Sequence, residues 1–525
     1  MAVSAKTRWV LILLLLAAAG GAGVPLLEKS REREIVQFIE AIPGTLKADK
    51  VSVSLLNNRV ELTGLKGRIE AFAGHPLDVD IEALTLEGLE RNPGDTAGEV
   101  RLAERVLTKN LRLSTEEGSR ILKGYRSLQS TSSSMEGLWV DWNALRRAAA
   151  KRELGEDFVR GMLSLRFGAS ESVGDVVAHG GVTGSDAEAL EGSPFENLSM
   201  TMRTGRCQSE PYSLTAAGKS FCTDMEIVLG EGPTIHMKTL GLDAFEIPEA
   251  AIRADYLGVA DLDTDPAAVL NLFSAGFSIS NLTASETVID VPGGGSVEIP
   301  AASLSMALGG GKLHLDVQTN DVMVATDVLR LWFPEWGTAL DGLGGEPLHL
   351  RCNLSLDTPK GEAGMTGLVL DWQHGERRLW DSVLSMTLTG RTLDAPGALM
   401  PIDASTLALV EAEFEIRDKD LLHFVFQLPI WPSHRESGDV EEAEAMASRR
   451  RSLVEDIEDT AAMFTGGPRD FFDAYARWIS ESGTLRVRVK PDTPFPLMQA
   501  FLLATPDSFG RLNISATHTP PEKQE

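Results

Sequence analysis

The chain has 525 residues, 43% of them hydrophobic, and a formal charge of −27 from 49 Lys and Arg against 76 Asp and Glu. That hydrophobic share is enough for a buried core. The acidic balance argues against nucleic acid or a strongly anionic membrane surface as a partner, because like charges repel.

From Trp9 to Leu27 no residue is charged, and only Lys6 and Arg8 lead in. At roughly 1.5 Å rise per residue, such a run just crosses about 30 Å of hydrocarbon as a helix. Two cations before it and a long acidic chain after it place the N-terminus in the cytoplasm and the body across the membrane. Residues 1–28 are therefore expected to be a transmembrane anchor. The competing reading is a cleaved signal, with Leu11 to Leu16 as its apolar region and Ala17-Ala18-Ala19 for a peptidase. The anchor is favoured because the apolar run continues to Leu26 and Leu27. Both readings export the body.

Ser30 to Ile42 reads as a short charged helix with Ile35, Phe38 and Ile39 on one face and Pro43-Gly44 at its end. It is expected to be a stalk, with 29–49 as a juxtamembrane segment. The period then changes to two. Val51, Val53 and Leu55 alternate, Asn57-Asn58 supplies a turn, and Val60 and Leu62 resume, which is a hairpin pattern. The phrase Val60-Glu-Leu-Thr-Gly-Leu65 returns in kind as Leu84 to Leu89, and more loosely at Met237 to Leu242, Phe277 to Leu282 and Met365 to Leu370.

Turns such as Pro292-Gly293-Gly294-Gly295, Gly309 to Lys312 and Asp341 to Gly345 separate β-compatible runs, among them Ser296 to Val317 and Pro347 to Leu356. Residues 50–430 are expected to form a repetitive, β-rich extracytoplasmic body, mostly antiparallel sheet. Helices are expected at Trp142 to Leu154, from the Asp265-Pro266 cap to Gly276, and at Thr326 to Phe333, where Pro334 stops the last. The tract Ser127 to Ser134 reads as an exposed connector.

Residues 431–525 read as a helix-covered α+β module with a disordered tail. Leu453, Ile457, Ala461 and Phe464 lie near helical spacing in a charged stretch from Asp439 to Phe464. Gly466-Gly467-Pro468 breaks that helix. A second helix offers Phe471, Tyr475, Trp478 and Ile479 for packing and stops at Gly483. A strand with Leu485, Val487 and Val489 inward follows, then a helical turn around Leu497 to Leu503, a strand near Arg511 to Ala516, and a frayed tail from Thr517 to Glu525. The whole is read as mainly β with interposed helices: an N-terminal transmembrane helix, a long antiparallel sheet open to curling, and the α+β module.

Chemistry is sparse. The nine histidines show no i, i+4 pair for a metal, and His314 and His349 are read as ordinary strand residues rather than ligands meeting across a sheet. There is no Gly-x-Ser-x-Gly elbow. Gly218-Lys219-Ser220 resembles the end of a phosphate loop, but Ser213 stands where its leading glycine belongs. No catalytic, cofactor-binding or metal residue is named, and no cofactor is expected.

Cys207 and Cys222 are the candidate disulfide, worth about 3 kcal/mol in an oxidising compartment, although spacing alone does not decide the pairing. Cys352 reads as a half-buried small residue. Arg486, Arg488 and Lys490 project from one face of one strand and are the candidate contact for an anionic group; the plainer reading has neighbouring carboxylates balance them. Asn197, Asn281, Asn353 and Asn513 stand in glycan-acceptor motifs that matter only in a eukaryotic secretory pathway.

The anchor, the short helix and Leu46-Lys-Ala-Asp-Lys-Val-Ser-Val-Ser-Leu-Leu-Asn-Asn-Arg-Val-Glu-Leu-Thr-Gly-Leu65 together resemble the opening of AsmA-like bacterial envelope proteins, with the plan of the YdgA-like group. The resemblance implies a bacterial inner-membrane protein, single-pass, with its body in the periplasm. It also implies a curled sheet with an apolar concave face, as in lipid-transfer proteins, and a part in outer-membrane assembly or phospholipid homeostasis. The chain is short for a bridge between two membranes, and no family functional residue maps onto it.

The expected function is non-catalytic: binding or shielding lipid or other apolar ligands, or assisting envelope homeostasis. The alternative is a scaffolding envelope protein with a closed core that binds a protein partner. An unrecognised envelope hydrolase is the third reading. The expected partners are the inner membrane, through the N-terminal helix, and either lipid or an envelope protein, with no nucleic acid.

Overall fold

A computed structural model of the protein describes residues 28–41, 44–54, 56–70, 76–89, 98–115, 125–141, 143–144, 147–148, 156–181, 199–230, 232–250, 252–253, 276–309, 312–342, 344–358, 362–374, 377–389, 408–428, 442–496 and 510–521. The Trp9 to Leu27 run lies outside them, as do the expected helix after Asp265 and the helical turn at 497–503. Among the described residues no helix is long and apolar enough to cross a membrane. The chain is mainly β, with a long antiparallel sheet and a few helices. It divides into two compact units, Met1–Ala284 and Ser285–Glu525, so the division falls inside the 50–430 stretch read as one body. Each unit has its own buried clusters, running from Ile35 to Phe245 in the first and from Ile289 to Ala516 in the second.

Unit 1 begins with α1 (Glu28–Ala41) and continues through β1 (Lys50–Ser54), β2 (Arg59–Ile69), β3 (Leu77–Glu87), β4 (Glu99–Thr115) and β5 (Tyr125–Asp141). After α2 (Glu156–Leu163) come β6 (Arg166–Phe167), β7 (Ala169–Gly181), β8 (Ser199–Ser209), β9 (Tyr212–Ser213), β10 (Ala216–Ala217), β11 (Ser220–Leu229), β12 (Thr234–Leu242) and β13 (Ala244–Glu246). β14 (Phe277–Val291) carries the unit boundary. Antiparallel pairing runs β1, β2, β3, β4, β5, β7, β8, β11, β12. A second path leaves β5 through β6, β9, β10 and β13 to β14.

Partners in antiparallel register share a face, so the two-residue period sorts the side chains. Leu62 meets Leu84, Leu65 meets Ile81 and Ile69 meets Leu77, all fully buried. Each such side chain contributes roughly 1.5–3 kcal/mol. On the opposite face Lys66 faces Asp80 and Arg68 faces Asp78 as ion pairs. In the recurring phrase, Gly64 has φ +61°, and a Cβ there would overlap the Asp49 carboxylate, which explains the glycine between two strand residues.

Two expectations change in unit 1. The α1 helix is not a free stalk: Ile35 and Ile39 are buried in the sheet core, and the Val53 amide donates to Glu32 Oε1 at 3.3 Å. The serine tract is not a connector but the middle of β5. There Ser130 is buried, and the Ser133 and Thr108 hydroxyls bond across the ladder at 2.6 Å. Hydroxyls pair well between strands, so a polar run need not leave the sheet. The Trp142 to Leu154 helix is described only at 143–144 and 147–148, which are helical.

Unit 2 contains β15 (Gly295–Gly309), β16 (Lys312–Val324), α3 (Thr326–Trp332), a 3-10 turn (Pro334–Trp336), α4 (Gly337–Gly342), β17 (Leu348–Thr358), β18 (Glu362–His374), β19 (Arg377–Thr389) and β20 (Ala408–Asp418). Then follow α5 (Leu421–Gln427), α6 (Glu442–Ala461), α7 (Gly467–Glu481), β21 (Thr484–Val489), β22 (Phe495–Pro496) and β23 (Ile514–Thr519). The strands from β15 to β21 pair in chain order, β23 closes on β21, and β22 pairs with β20.

The C-terminal helices pack with the end of the sheet: Leu422 and Phe426 of α5, Ile457 of α6, Trp478 and Ile479 of α7 and Leu485 of β21 share one cluster. Within the segment expected as sheet, Leu421–Gln427 is helical. Its residues Leu422, Phe424 and Phe426 alternate like a strand because α5 is wedged between two clusters, Phe424 in one and the other two in the second. The last strand extends to Thr519 instead of fraying at Thr517. Thr519 pairs with Thr484, and the His518 imidazole is hydrogen-bonded to the Ser482 carbonyl at 2.6 Å.

Candidate functional site

In unit 2 the register lays an apolar row across the sheet. Leu304 on β15 pairs with Val317 on β16, which pairs with Leu354 on β17; farther on, Leu384 of β19 pairs with Phe414 of β20. Met306 and Leu315 form a parallel pair one step away. The other face at these strands is polar, with Ser303 opposite Gln318 and then Asn353, and Ser305 opposite Asp316 and then Ser355.

Such a two-faced sheet normally buries its apolar side. Here Leu304, Met306, Leu315, Val317, Leu354, Leu384 and Phe414 are all half-exposed, and none of them joins a buried cluster. An acyl chain laid on this row would be removed from water at about 0.8 kcal/mol per buried CH2. The sequence signal that marks these residues is their alternation with serine, as in Ser303-Leu304-Ser305.

The cover over this sheet is local. Towards one end, Val328 of α3 packs on Val297 and Val322. The same segment leaves Leu331, Trp332 and Phe333 exposed at 51%, 54% and 37%. Phe333 stacks on Trp336 at 4.5 Å between ring centroids, and Trp336 meets Phe424 edge-on at 6.3 Å. At the β20 to β23 end, α7 packs over Val487 and Val489 through Phe471 and Phe472.

The basic stripe is spent within the molecule. Arg486 pairs with Glu415 and lies 3.7 Å from Glu413, Arg488 Nε donates to Glu411 Oε1 at 2.8 Å, and Lys490 lies 3.6 Å from Glu411. The hydrogen bond from Arg488 holds the Glu411 carboxyl below its usual range, and the same carboxylates raise the Arg486 and Arg488 guanidiniums. The expected anionic-group contact is therefore replaced by an acidic stripe on β20, which register sets directly opposite the cations.

Cys207 and Cys222 face each other in register on β8 and β11, their sulfurs bonded at 2.07 Å, whereas Cys352 is free and half-buried. His314 pairs with Asp357 and His349 with Met323, so the two imidazoles do not meet; His349 Nδ1 lies 2.6 Å from Asp321 Oδ1. Gly218 and Lys219 join β10 to β11, which Ser220 begins; the Gly218 amide donates to the Pro211 carbonyl at 2.8 Å and the Glu210 amide to the Lys219 carbonyl at 2.9 Å. Asn281 and Asn513 are exposed with positive φ, Asn353 sits in β17, and Asn197 lies outside the described residues. No metal-ligating group of His, Cys, Asp or Glu occurs among the described residues. In comparisons with known proteins, the chain matches no family model, no curated protein and no solved structure.

Proposed function

We propose that the protein is a non-catalytic, membrane-anchored envelope protein of AsmA-like type whose unit 2 sheet holds or shields acyl chains in the periplasm. One observation carries this reading: the row Leu304, Val317, Leu354 stays half-exposed in register while the reverse face of the same strands is polar. A row of half-buried apolar side chains in register is a surface on which an apolar chain could be received, on a chain whose net charge of −27 keeps the rest of its surface polar. The Cys207–Cys222 bond supports an oxidising compartment.

The test is extraction of lipid from protein purified without added lipid, read by mass spectrometry, beside a Val317→Asn, Leu354→Asn variant. Bound acyl lipid that the variant loses supports the reading. Protein free of lipid sinks it. The scaffolding alternative draws on unit 1, where the apolar face is already shut, and it predicts a co-purifying protein with no lipid.

A further inference from the structure

We propose that a second ligand site lies among the C-terminal helices of unit 2, in a cavity of about 870 Å3 that takes a single-chain amphiphile bearing one negative charge. This site is separate from the sheet face, since no residue of the Leu304 row lines it. Its volume falls in the range of roughly 300–1,000 Å3 usual for small-molecule sites. The apolar wall comes from Leu422 and Phe426 of α5 and from Met446 and Val454 of α6. Ala443 and Ala447 keep the α6 side open, because their short side chains leave room that longer ones would fill.

The polar end is supplied by Arg450 and Arg451. Arg450 lies over the Phe426 ring at 5.7 Å, and Arg451 Nε donates to the Ala447 carbonyl of its own helix at 3.4 Å. Neither forms an ion pair among the described residues, in contrast to Arg486 and Arg488, which are matched by carboxylates. The wall that carries them is fixed: Arg449 is buried, and its Nη1 donates to the Phe426 carbonyl at 2.6 Å, tying α6 to α5. Two guanidiniums lining one cavity with an apolar wall match a carboxylate head followed by an alkyl tail. Glu455 and Glu458 line the same cavity one and two turns farther along α6, and Asp418 at the end of β20 and Asp420 just before α5 line it from the other side. Those carboxylates repel a second negative charge, which selects a monoanion over a phosphate monoester of about −1.5 to −2.

The test is equilibrium dialysis of the full chain, held in amphipol, against radiolabelled dodecanoate, with dodecyl phosphate, inorganic phosphate and dodecyl maltoside as competitors. Dodecanoate is expected to bind and to be displaced best by itself, less by dodecyl phosphate, and not by phosphate or maltoside. Arg450→Gln with Arg451→Gln is expected to weaken binding at least about tenfold, as loss of charge-assisted hydrogen bonds does. Arg450→Lys with Arg451→Lys restores most of it, and Ala447→Phe abolishes it by filling the space. Val317→Asn with Leu354→Asn removes only dodecanoate held on the sheet face and leaves the portion that is sensitive to Arg450→Gln with Arg451→Gln, which separates the two sites. Absence of dodecanoate binding, equal displacement by dodecyl maltoside or inorganic phosphate, tighter binding of dodecyl phosphate, or full binding in the glutamine variant overturns the proposal.

Discussion

Unit 1 and unit 2 use the same two-residue period and end in opposite states. In unit 1 the apolar face of β2 to β5 is shut, with Leu65 and Leu84 at 0% exposure and α1 docked among them. In unit 2 the same kind of face, from Leu304 to Phe414, is half-buried, and among the described residues helices cover its flanks. Alternation therefore decides which face is apolar. What lies over that face decides whether it is a core or a site.

The largest expected effect tests that contrast directly. Leu65→Ala or Leu84→Ala should destabilise unit 1 by about 2–5 kcal/mol in urea unfolding, since a buried leucine leaves a cavity. Leu304→Ala should cost less, about 1–2 kcal/mol, because Leu304 is only partly buried and leaves no closed cavity. Equal costs at Leu84 and Leu304 would show that the unit 2 face is closed.

Next in size is the cross-strand bond of unit 1. Replacing Cys207 and Cys222, 15 residues apart, by serine should lower unfolding stability by about 3 kcal/mol. Unit 2 offers no such pairing for Cys352, so Cys352→Ala should shift the same transition by less than about 1 kcal/mol, as small half-buried side chains do. A Cys207→Ser, Cys222→Ser protein as stable as the parent would remove the disulfide from the account.

Smaller in stability but decisive for function, Val317→Asn with Leu354→Asn should leave the unfolding midpoint nearly unchanged and remove bound acyl lipid. A large loss of stability there, with no change in lipid content, would make this face a core like that of unit 1.

The smallest effect is electrostatic. Glu411 titrates below its ordinary value because Arg488 donates to it. Its stabilisation is therefore fully present above the unfolded pKa of about 4.3 and is lost as pH falls through the lowered folded value. Arg488→Gln should be slightly less stable than the parent at neutral pH, and the gap should close on acidification. A gap that stays constant with pH would assign the effect to packing.

Much of this was legible in the residues. Asn57-Asn58 marked the first hairpin, Pro334 the end of α3, Gly483 the end of α7, and the period of two marked the sheet. The misreadings share a cause. Ser127 to Ser134 looked like a linker because composition does not reveal that Ser133 meets Thr108 across a ladder. The helix Leu421–Gln427 was not picked out from the sheet expected around it, because a helix packed on two sides loses its single apolar stripe.

The sequence by itself determined the acidic exterior, the alternating strands and the positions of the turns, because charge, period and backbone preference act locally along the chain. Only the tertiary structure decided that Glu411, Glu413 and Glu415 neutralise the basic stripe, that α1 is part of a core, and that the Leu304 row stays half-open. Those outcomes depend on which strand lies beside which and on what covers a face, relations between residues far apart in the chain that local pattern does not encode.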